Sequence, residues 1–245
     1  MILSDKVILV IGGSGLLGKA FIDDIIKNGG IAINLDINNP NILDRNILYF
    51  DINNDDSIKD SLNIIIKKYP RIDGLVNSAF PRTKDWKNKF EDVTLESFSM
   101  NVEMQLSRSF AILKPVLNIM KNQKYGSIVH ISSIYGIVGN DFNIYNGTNL
   151  TSPAAYSAIK GGVINFSRYI ASYFGKHNVR SNCISPGGVF DHQNKTFVKQ
   201  YIEKVPLGRM AKPDDIAPMV SFLLSSKSEY ITGQNIAIDG GWTAI

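Results

Sequence analysis

Short apolar segments alternate with amphipathic segments along the whole chain, and this alternation constrains the fold more than any other feature of the sequence. The apolar segments are rich in β-branched residues and end at Gly, Asp, Asn or Ser, which predicts strands at residues 7–11, 31–35, 47–50, 73–76, 127–131, 179–184 and 235–238. Apolar residues at helical spacing predict helices at residues 15–28, 57–68, 155–174 and 214–224. A longer helix is predicted to begin at Thr94 or Leu95, bend near Pro115 and end at Met120, and Asp55 or Asp56 is predicted to cap the second helix.

Strands that are apolar on both faces and alternate with helices are typical of a parallel sheet covered by helices. We therefore predict a doubly wound α/β fold of the Rossmann type, with about seven strands in three α/β/α layers. Both halves of the chain contribute strands and no linker separates them, so we expect residues 1–245 to form one domain. In such a sheet the carboxyl ends of the strands border a crevice, where the polar residues that follow each strand are expected to meet.

Composition excludes several classes of protein. The only cysteine, Cys183, excludes an internal disulfide, and the three histidines are scattered, so we expect no metal site. The formal net charge of +4 comes from interspersed charges, and we expect no nucleic-acid partner. No segment has the length of a signal peptide or a membrane span, so we expect no membrane association and a cytoplasmic protein that acts on a small molecule.

A glycine-rich turn follows the first predicted strand and opens the first predicted helix. Glycines at this position allow a tight turn, and the free amides of the helix N-terminus bind the pyrophosphate of a dinucleotide. The residues predicted to contact the coenzyme here are Gly12, Ser14, Gly15, Leu16, Leu17 and Gly18. Asp36 ends the second strand, 18 residues after Gly18, where the fold places an acid that binds the adenosine ribose. Its carboxylate would repel a 2′-phosphate, which favours NAD(H) over NADP(H).

Tyr156 and Lys160 lie four residues apart and therefore on one face of a helix. A nearby ammonium group stabilises a phenolate, so we expect Lys160 to lower the pKa of Tyr156. Tyr156 then exchanges the alcohol proton as a general acid and base while hydride moves to or from a nicotinamide. Ser133, at the end of the fifth strand, is expected to orient the substrate oxygen, and Lys160 to hold the nicotinamide ribose. Asn101, in the long helix, is expected to position a water that connects Lys160 to solvent.

With these motifs together, the sequence resembles the short-chain dehydrogenase/reductase family over nearly its whole length. The resemblance implies a catalytic tetrad of Asn101, Ser133, Tyr156 and Lys160. It also implies a homodimer or homotetramer, packed through the helices of Asn101 and Tyr156. The further residues that it implies at the coenzyme are Asp51, Ile52, Asn77, Ala79, Pro186, Gly187 and Val189.

The sequence departs from the family pattern at four places. Ile11 stands before the first glycine in place of Thr. The middle glycine of the usual three is shifted, which gives the spacing of Gly12, Gly15 and Gly18. Phe80 replaces the glycine of the Asn-Asn-Ala-Gly motif. Tyr156 follows Ser133 by 23 positions, about ten more than usual, because of an insertion at residues 140–152. We expect this insertion to form a loop over the active site, because its flanks carry two catalytic residues.

The insertion is rich in amides and hydroxyls, which suits a sugar better than an acyl chain. Phe80, Arg82 and Tyr145 are the predicted substrate contacts, with Arg82 and Lys84 available for a phosphate or carboxylate. The stretch from Ser78 to Arg82 and the insertion look most like those of family members encoded with flagellin- or surface-glycan-modification enzymes. Trp86 is interpreted as a packing residue or interface anchor, and residues 191–204 as either a lid or a surface helix.

Other functions remain open from the sequence alone. A 3-oxoacyl-thioester reductase shares the tetrad, although Asp36 disfavours it because those reductases usually prefer NADP(H). A dinucleotide-sensing or scaffold protein shares the fold without turnover. An epimerase or dehydratase that uses tightly held NAD suits the glycine spacing, but such enzymes usually carry a further substrate domain.

Overall fold

A computed structural model describes all residues from 1 to 245 and contains one seven-stranded parallel sheet. The strands are β1 (Val7–Ile11), β2 (Ile31–Asp36), β3 (Ile47–Tyr49), β4 (Gly74–Asn77), β5 (Gly126–Ile131), β6 (Val179–Pro186) and β7 (Asn235–Ile238). The helices are α1 (Leu16–Lys27), α2 (Asp55–Lys68), α3 (Leu95–Val102), α4 (Arg108–Gln123), α5 (Ala154–Phe174), α6 (Lys195–Ile202) and α7 (Pro213–Leu224).

The spatial order of the strands is β3-β2-β1-β4-β5-β6-β7. The chain therefore winds outward in one direction from β1 to β3 and in the other from β4 to β7. This reversal lies between β1 and β4, which pair in parallel from Ile8 with Gly74 to Ile11 with Asn77. Ligands of doubly wound folds bind at such a reversal, outside the carboxyl ends of the strands. The predicted Rossmann-type fold is confirmed.

Two apolar clusters cover the two faces of the sheet. On one face, α2 and α4 contribute Leu62 and Val116, which are at most 5% exposed. On the other face, α1 and α7 contribute Phe21 and Val220, both fully buried. The interleaved strands supply alternate side chains to the two clusters, which gives the three predicted layers. None of the helices is both long and apolar enough to cross a lipid bilayer.

The predicted long helix is interrupted at a different place from the one expected. A π-helical turn, Glu103–Ser107, separates α3 from α4, and α4 runs through Pro115 to Gln123. The extra residue of a π-turn shifts the helix register at this point, and the bend near Pro115 stays a prediction. The predicted cap of α2 is wrong, because the Asn54 side chain accepts the amide of Ser57 at 3.1 Å.

The insertion at residues 140–152 and the segment 191–204 both contain helical turns. The insertion contains a 3₁₀ turn, Phe142–Tyr145, with Ile144 fully buried. The segment 191–204 contains α6, which is capped by the Asn194 side chain accepting the amide of Thr196 at 2.8 Å.

Candidate active site

The turn between β1 and α1 is shaped by three glycines. Gly12 has a φ of +75°, and a Cβ atom on it would lie 3.0 Å from the main chain of Ser78 and Ala79. A Cβ atom on Gly18 would overlap the carbonyl oxygen of Gly12, and one on Gly15 would lie 3.2 Å from the same oxygen. The turn therefore exposes main chain without side chains directly before the N-terminus of α1. This arrangement fits the pyrophosphate of a dinucleotide.

Asp36 lies beside this turn and is 8% exposed. Its Oδ2 accepts a hydrogen bond from the amide of Ser14 at 3.1 Å, and its Oδ1 accepts one from the amide of Asn38 at 3.0 Å. The Ser14 hydroxyl donates to Oδ1 of Asn39 at 2.6 Å. These bonds fix a negative charge at the end of β2, where the fold binds a ribose.

A cleft of about 890 Å³ lies at the carboxyl ends of the strands. The sequence-predicted coenzyme residues that line it are Gly12, Gly15, Leu16, Leu17, Gly18, Asp36, Asp51, Ile52, Ala79, Pro186, Gly187 and Val189. The predicted catalytic and substrate residues that line the same cleft are Ser133, Tyr156, Lys160, Phe80, Arg82 and Tyr145. The candidate coenzyme, catalytic and substrate groups therefore share one cavity.

Lys160, Tyr156 and Ser133 lie together at the carboxyl end of β5. The Lys160 ammonium donates to the carbonyl oxygen of Ile131 at 3.0 Å and lies 5.6 Å from the centre of the Tyr156 ring. The Ser133 hydroxyl oxygen accepts the amide of Tyr135 at 3.2 Å and is within hydrogen-bonding reach of Tyr156. Helix α5 thus supplies an ammonium and a phenol, and the end of β5 supplies a hydroxyl.

Burial controls the protonation of these groups. It raises the pKa of Tyr156, and a hydrogen bond with Ser133 opposes this effect only in part. It lowers the pKa of Lys160 to about 8, because a buried ammonium loses its hydration. The expectation that Lys160 lowers the pKa of Tyr156 is therefore wrong for the chain alone, since desolvation raises this pKa and Ser133 supplies the one opposing influence.

Three predicted site residues are not among those that line the cleft: Ser14, Asn77 and Asn101. The amide nitrogen of Asn101 donates to the Thr83 hydroxyl and to the Ser97 carbonyl, both at 2.8 Å, and its oxygen accepts the Thr83 amide at 3.2 Å. The Asn101 side chain therefore holds the loop after β4. The amide nitrogen of the Asn77 side chain donates to the hydroxyl of Ser109 in α4, at 2.9 Å.

Comparison with known proteins places this cleft in a family. A family model described as "Enoyl-(Acyl carrier protein) reductase" matches residues 39–243. The post-translational flagellin modification protein A of Campylobacter coli is 33% identical over 98% of this chain and 99% of its own length. A short-chain dehydrogenase from Leptospira borgpetersenii, solved with bound NAD⁺, superposes with a TM-score of 0.89 at 36% identity, covering 98% of this chain and 94% of the other.

The chain belongs to the short-chain dehydrogenase/reductase family. A 3-oxoacyl-(acyl-carrier-protein) reductase from Thermotoga maritima is a further relative, 31% identical over 98% of this chain and 99% of its own length. The protein is thus an oxidoreductase of alcohol and carbonyl groups, from a family that binds a nicotinamide dinucleotide.

In this short-chain dehydrogenase/reductase the residue that departs from the glycine motif forms an aromatic wall. The Phe80 ring centre lies 5.6 Å from that of Trp86 and 5.9 Å from that of Tyr156, and the Trp86 and Tyr156 centres are 6.1 Å apart. The Arg82 guanidinium lies 5.0 Å from the Phe80 ring centre. The cations that line the cleft here are Arg82 and Lys87, and Lys84 does not reach it.

The insertion and α6 form one cover over the substrate end of the cleft. Tyr145 stacks on Phe197 with ring centres 5.4 Å apart. Gln200 donates to the carbonyl oxygen of Asn146 at 3.0 Å, and Lys204 forms an ion pair with Asp141 at 3.1 Å. A stack, a hydrogen bond and an ion pair therefore join residues that are 52 to 63 positions apart in the sequence.

Sequence reasoning missed Trp86, Lys87 and Phe197 as cleft residues. Trp86 follows Phe80 in the same loop, but only the folded loop brings its ring against Tyr156. Phe197 has the helical spacing of an ordinary apolar face within α6, and its partner Tyr145 lies in the insertion. Neither position carries a local signal for a cleft residue, because each contact depends on how distant segments pack.

Proposed function

We propose that this protein is an NAD(H)-dependent oxidoreductase that interconverts an alcohol and a carbonyl on a polar, sugar-like substrate. The observation that carries the proposal is the meeting of Ser133, Tyr156 and Lys160 in the cleft that also contains the glycine turn and Asp36. We further propose that residues 1–245 act as one catalytic domain, because the single sheet carries all of these groups.

The coenzyme preference rests on Asp36. Its buried carboxylate, fixed by two amides, accepts hydrogen bonds from ribose hydroxyls and repels the charge of a 2′-phosphate. The glycine turn would hold the pyrophosphate, Asp51 and Ile52 the adenine, and Ala79 and the segment after Pro186 the nicotinamide end. The nicotinamide supplies or accepts the hydride.

The catalytic roles follow from the protonation of the chain. Because burial raises the pKa of Tyr156, the phenol is protonated at neutral pH and ready to donate its proton to a carbonyl oxygen. Ser133 donates a hydrogen bond to the same oxygen and orients it. The Lys160 ammonium holds the nicotinamide ribose and favours the tyrosinate that remains after proton transfer. Asn101 supports this centre by holding the loop that carries Phe80, and the water predicted beside it stays a prediction.

The substrate proposal rests on the walls of the outer cleft. The aromatic rings of Phe80 and Trp86 line the outer cleft and suit the C–H face of a sugar ring, while Arg82 and Lys87 attract a phosphate or carboxylate at the rim. The cover adds Tyr145 as a polar contact. The flagellin-modifying relative supports a surface-glycan precursor as the substrate class.

A substrate screen tests the proposal directly. Nucleotide sugars, sugar phosphates and 3-oxoacyl thioesters are each supplied with NAD(H) and NADP(H), and the absorbance of the reduced coenzyme is followed. We expect turnover with a phosphorylated or nucleotide sugar and NAD(H). Tyr156→Phe should abolish that turnover while NADH binding, measured by fluorescence titration, persists.

Other outcomes of the screen identify the alternatives. Turnover of thioesters alone would identify an acyl reductase, a reading that the Thermotoga relative supports. Coenzyme binding without turnover of any substrate would identify a sensor or scaffold. Asp36→Ser tests the coenzyme proposal separately, because it should raise the preference for NADPH over NADH, and an unchanged preference would contradict the role of the carboxylate.

We also propose a homodimer or homotetramer that packs through the helices of Asn101 and Tyr156, which are the α3–α4 stretch and α5. Phe110, Tyr169 and Tyr173 are 54%, 60% and 55% exposed, and together with Phe166 their rings form a row in which neighbouring centres lie 5.9 to 6.4 Å apart. Exposed aromatic rows of this kind mark protein interfaces. Light scattering of Tyr169→Glu should give a smaller species than wild type, and an unchanged mass would contradict this interface. The cytoplasmic location stays a prediction.

A further inference from the structure

Lys160 lines the active-site cleft and also a second, much smaller cavity. This cavity offers about 10 Å³ to the centre of a water molecule. Residues from β4, the π-turn, α4, β5 and α5 surround it, and those with polar side chains are Asn77, Gln105, Ser109, His130 and Lys160. The π-turn supplies Gln105 and β5 supplies His130, which are 6% and 1% exposed.

Two of these side chains have no hydrogen-bonding partner within the chain. They are Gln105, at both its amide nitrogen and its amide oxygen, and His130, at Nε2. Three of the six unpartnered buried side-chain atoms of the protein therefore border one cavity. Burying such atoms without partners is costly, so groups of this kind in native proteins are usually satisfied by ordered water. Asn77 and Ser109 are already bonded to each other.

We propose that Gln105 and His130 hold one buried water molecule beside Lys160 and thereby act as positioning residues for its ammonium group. The space suits a single water, which needs about 10–15 Å³ on this measure and two to four polar partners. Gln105 offers a donor and an acceptor, and the His130 nitrogen offers one or the other. His130 stays neutral at pH 7, because burial lowers its pKa to about 4.

The hydrogen-bonding capacity of Lys160 gives this water a function, and this role rests on the proposed catalytic function. An ammonium group has three donors. One is directed to the carbonyl oxygen of Ile131 at 3.0 Å. A water in the small cavity accepts the second, which leaves the third for the cleft. Without the water, the ammonium would be free to tilt away from the position that serves Tyr156.

The charged surroundings of Lys160 make it sensitive to one water. The titratable groups near it are Tyr156 on its own helix, His130 on β5 and Cys183 on β6, and none of them is a carboxylate. The four ion pairs of the chain involve other residues. Removing a water from the ammonium therefore strengthens the desolvation that already lowers its pKa.

A crystal structure of the wild type at about 1.5 Å or better tests the site without any substrate. We expect a density peak within about 3.2 Å of both Gln105 and His130. A map without this peak, or with the two side chains bonded directly to each other, would overturn the proposal. This experiment also decides the matter if a variant fails to fold.

Gln105→Met tests the effect on Lys160. NMR titration of ¹³C-labelled lysine should give a Lys160 pKa about one unit lower than in wild type, and the alkaline limb of kcat/KM should shift by the same amount. Ser221→Ala is the matched control, since it removes another unpartnered buried oxygen, in α7, away from the cavity. An unchanged Lys160 pKa in Q105M, or an equal shift in S221A, would refute the positioning role. The NMR readout stands even if no substrate is turned over, so failure of the proposed function is distinguishable.

Discussion

Ile144 joins the insertion to the body of the protein, and its truncation should measure how firmly the cover is held. The side chain is 1% exposed in a buried cluster with Ile134, Tyr135, Tyr201, Val205, Met210 and Trp242. Ile→Ala in such a setting removes buried apolar contacts and leaves a cavity, at a cost of roughly 2–5 kcal/mol. We expect Ile144→Ala to lower the free energy of unfolding by about 3 kcal/mol, which corresponds to a Tm lower by roughly 6–12 °C for a chain of this size.

Phe142→Ala is the matched control, because Phe142 lies in the same 3₁₀ turn but is 58% exposed. We expect it to change stability by at most about 0.5 kcal/mol. Urea unfolding at one protein concentration measures both variants, since the stability of an oligomer depends on concentration. Hydrogen exchange then tells local from global loss. A loss under about 1 kcal/mol in I144A, or equal losses in both variants, would refute the packing of the cover.

Three further predictions concern the coenzyme turn and two charged groups. Gly18→Ala places a methyl group against the carbonyl oxygen of Gly12, so NADH should bind at least about tenfold more weakly by fluorescence titration, and unchanged affinity would contradict the tight turn. Arg209 donates to both oxygens of Asp215 at 2.6 and 2.8 Å and holds the pKa of that carboxyl at about 2. Because this pKa lies below its unfolded value, the stability advantage of wild type over Asp215→Asn should be full above about pH 4 and disappear as the pH falls towards 2, as followed by urea unfolding. Lys160→Met should abolish turnover and yet stabilise the protein at pH 7 by about 2.5 kcal/mol. Burial lowers the pKa of the ammonium from 10.5 to about 8, which costs about 3.5 kcal/mol at about 1.4 kcal/mol per pH unit. The lost hydrogen bond to Ile131 offsets about 1 kcal/mol of this gain. The unfolded chain holds its proton to higher pH than the folded one, so wild-type stability should rise relative to K160M between about pH 8 and 10.5, and a gap that does not narrow would contradict the burial of a charged Lys160.

The strands could be predicted well because buried parallel strands have a simple signature. Apolar runs that end in glycine or a polar residue located β1 and β7 with correct ends. Strand ends elsewhere differ by one or two residues, since pairing decides them. β6, for example, extends to Pro186 because Pro186 pairs with Ile238 of β7. A neighbour that is distant in the chain leaves no trace in the local pattern.

The candidate site likewise contains residues that a local sequence pattern predicts and residues whose position depends on distant segments. Glycines that a turn requires, and an acid at a strand end, have local causes, so most residues predicted at the glycine turn and at the end of β2 line the cleft. Neither the π-turn before α4 nor Gln105 within it has a sequence signal of its own. The aromatic wall likewise needs the loop after β4 to fold back onto α5, which the single substitution at Phe80 did not indicate.

The pKa values of Tyr156 and Lys160 shift in opposite directions from one cause. Burial disfavours the phenolate and the ammonium alike, so the chain alone makes charge costly in both partners. The same low-dielectric surroundings strengthen every interaction that a bound molecule adds to either group. A proton transfer from Tyr156 that leaves a phenolate beside the ammonium forms a pair of opposite charges, whose attraction is greatest where water is excluded. Burial of Lys160 therefore lowers the stability of the protein and also strengthens the attraction between the ammonium and the phenolate. A variant such as Lys160→Met, which removes the stability cost, should also lose that attraction.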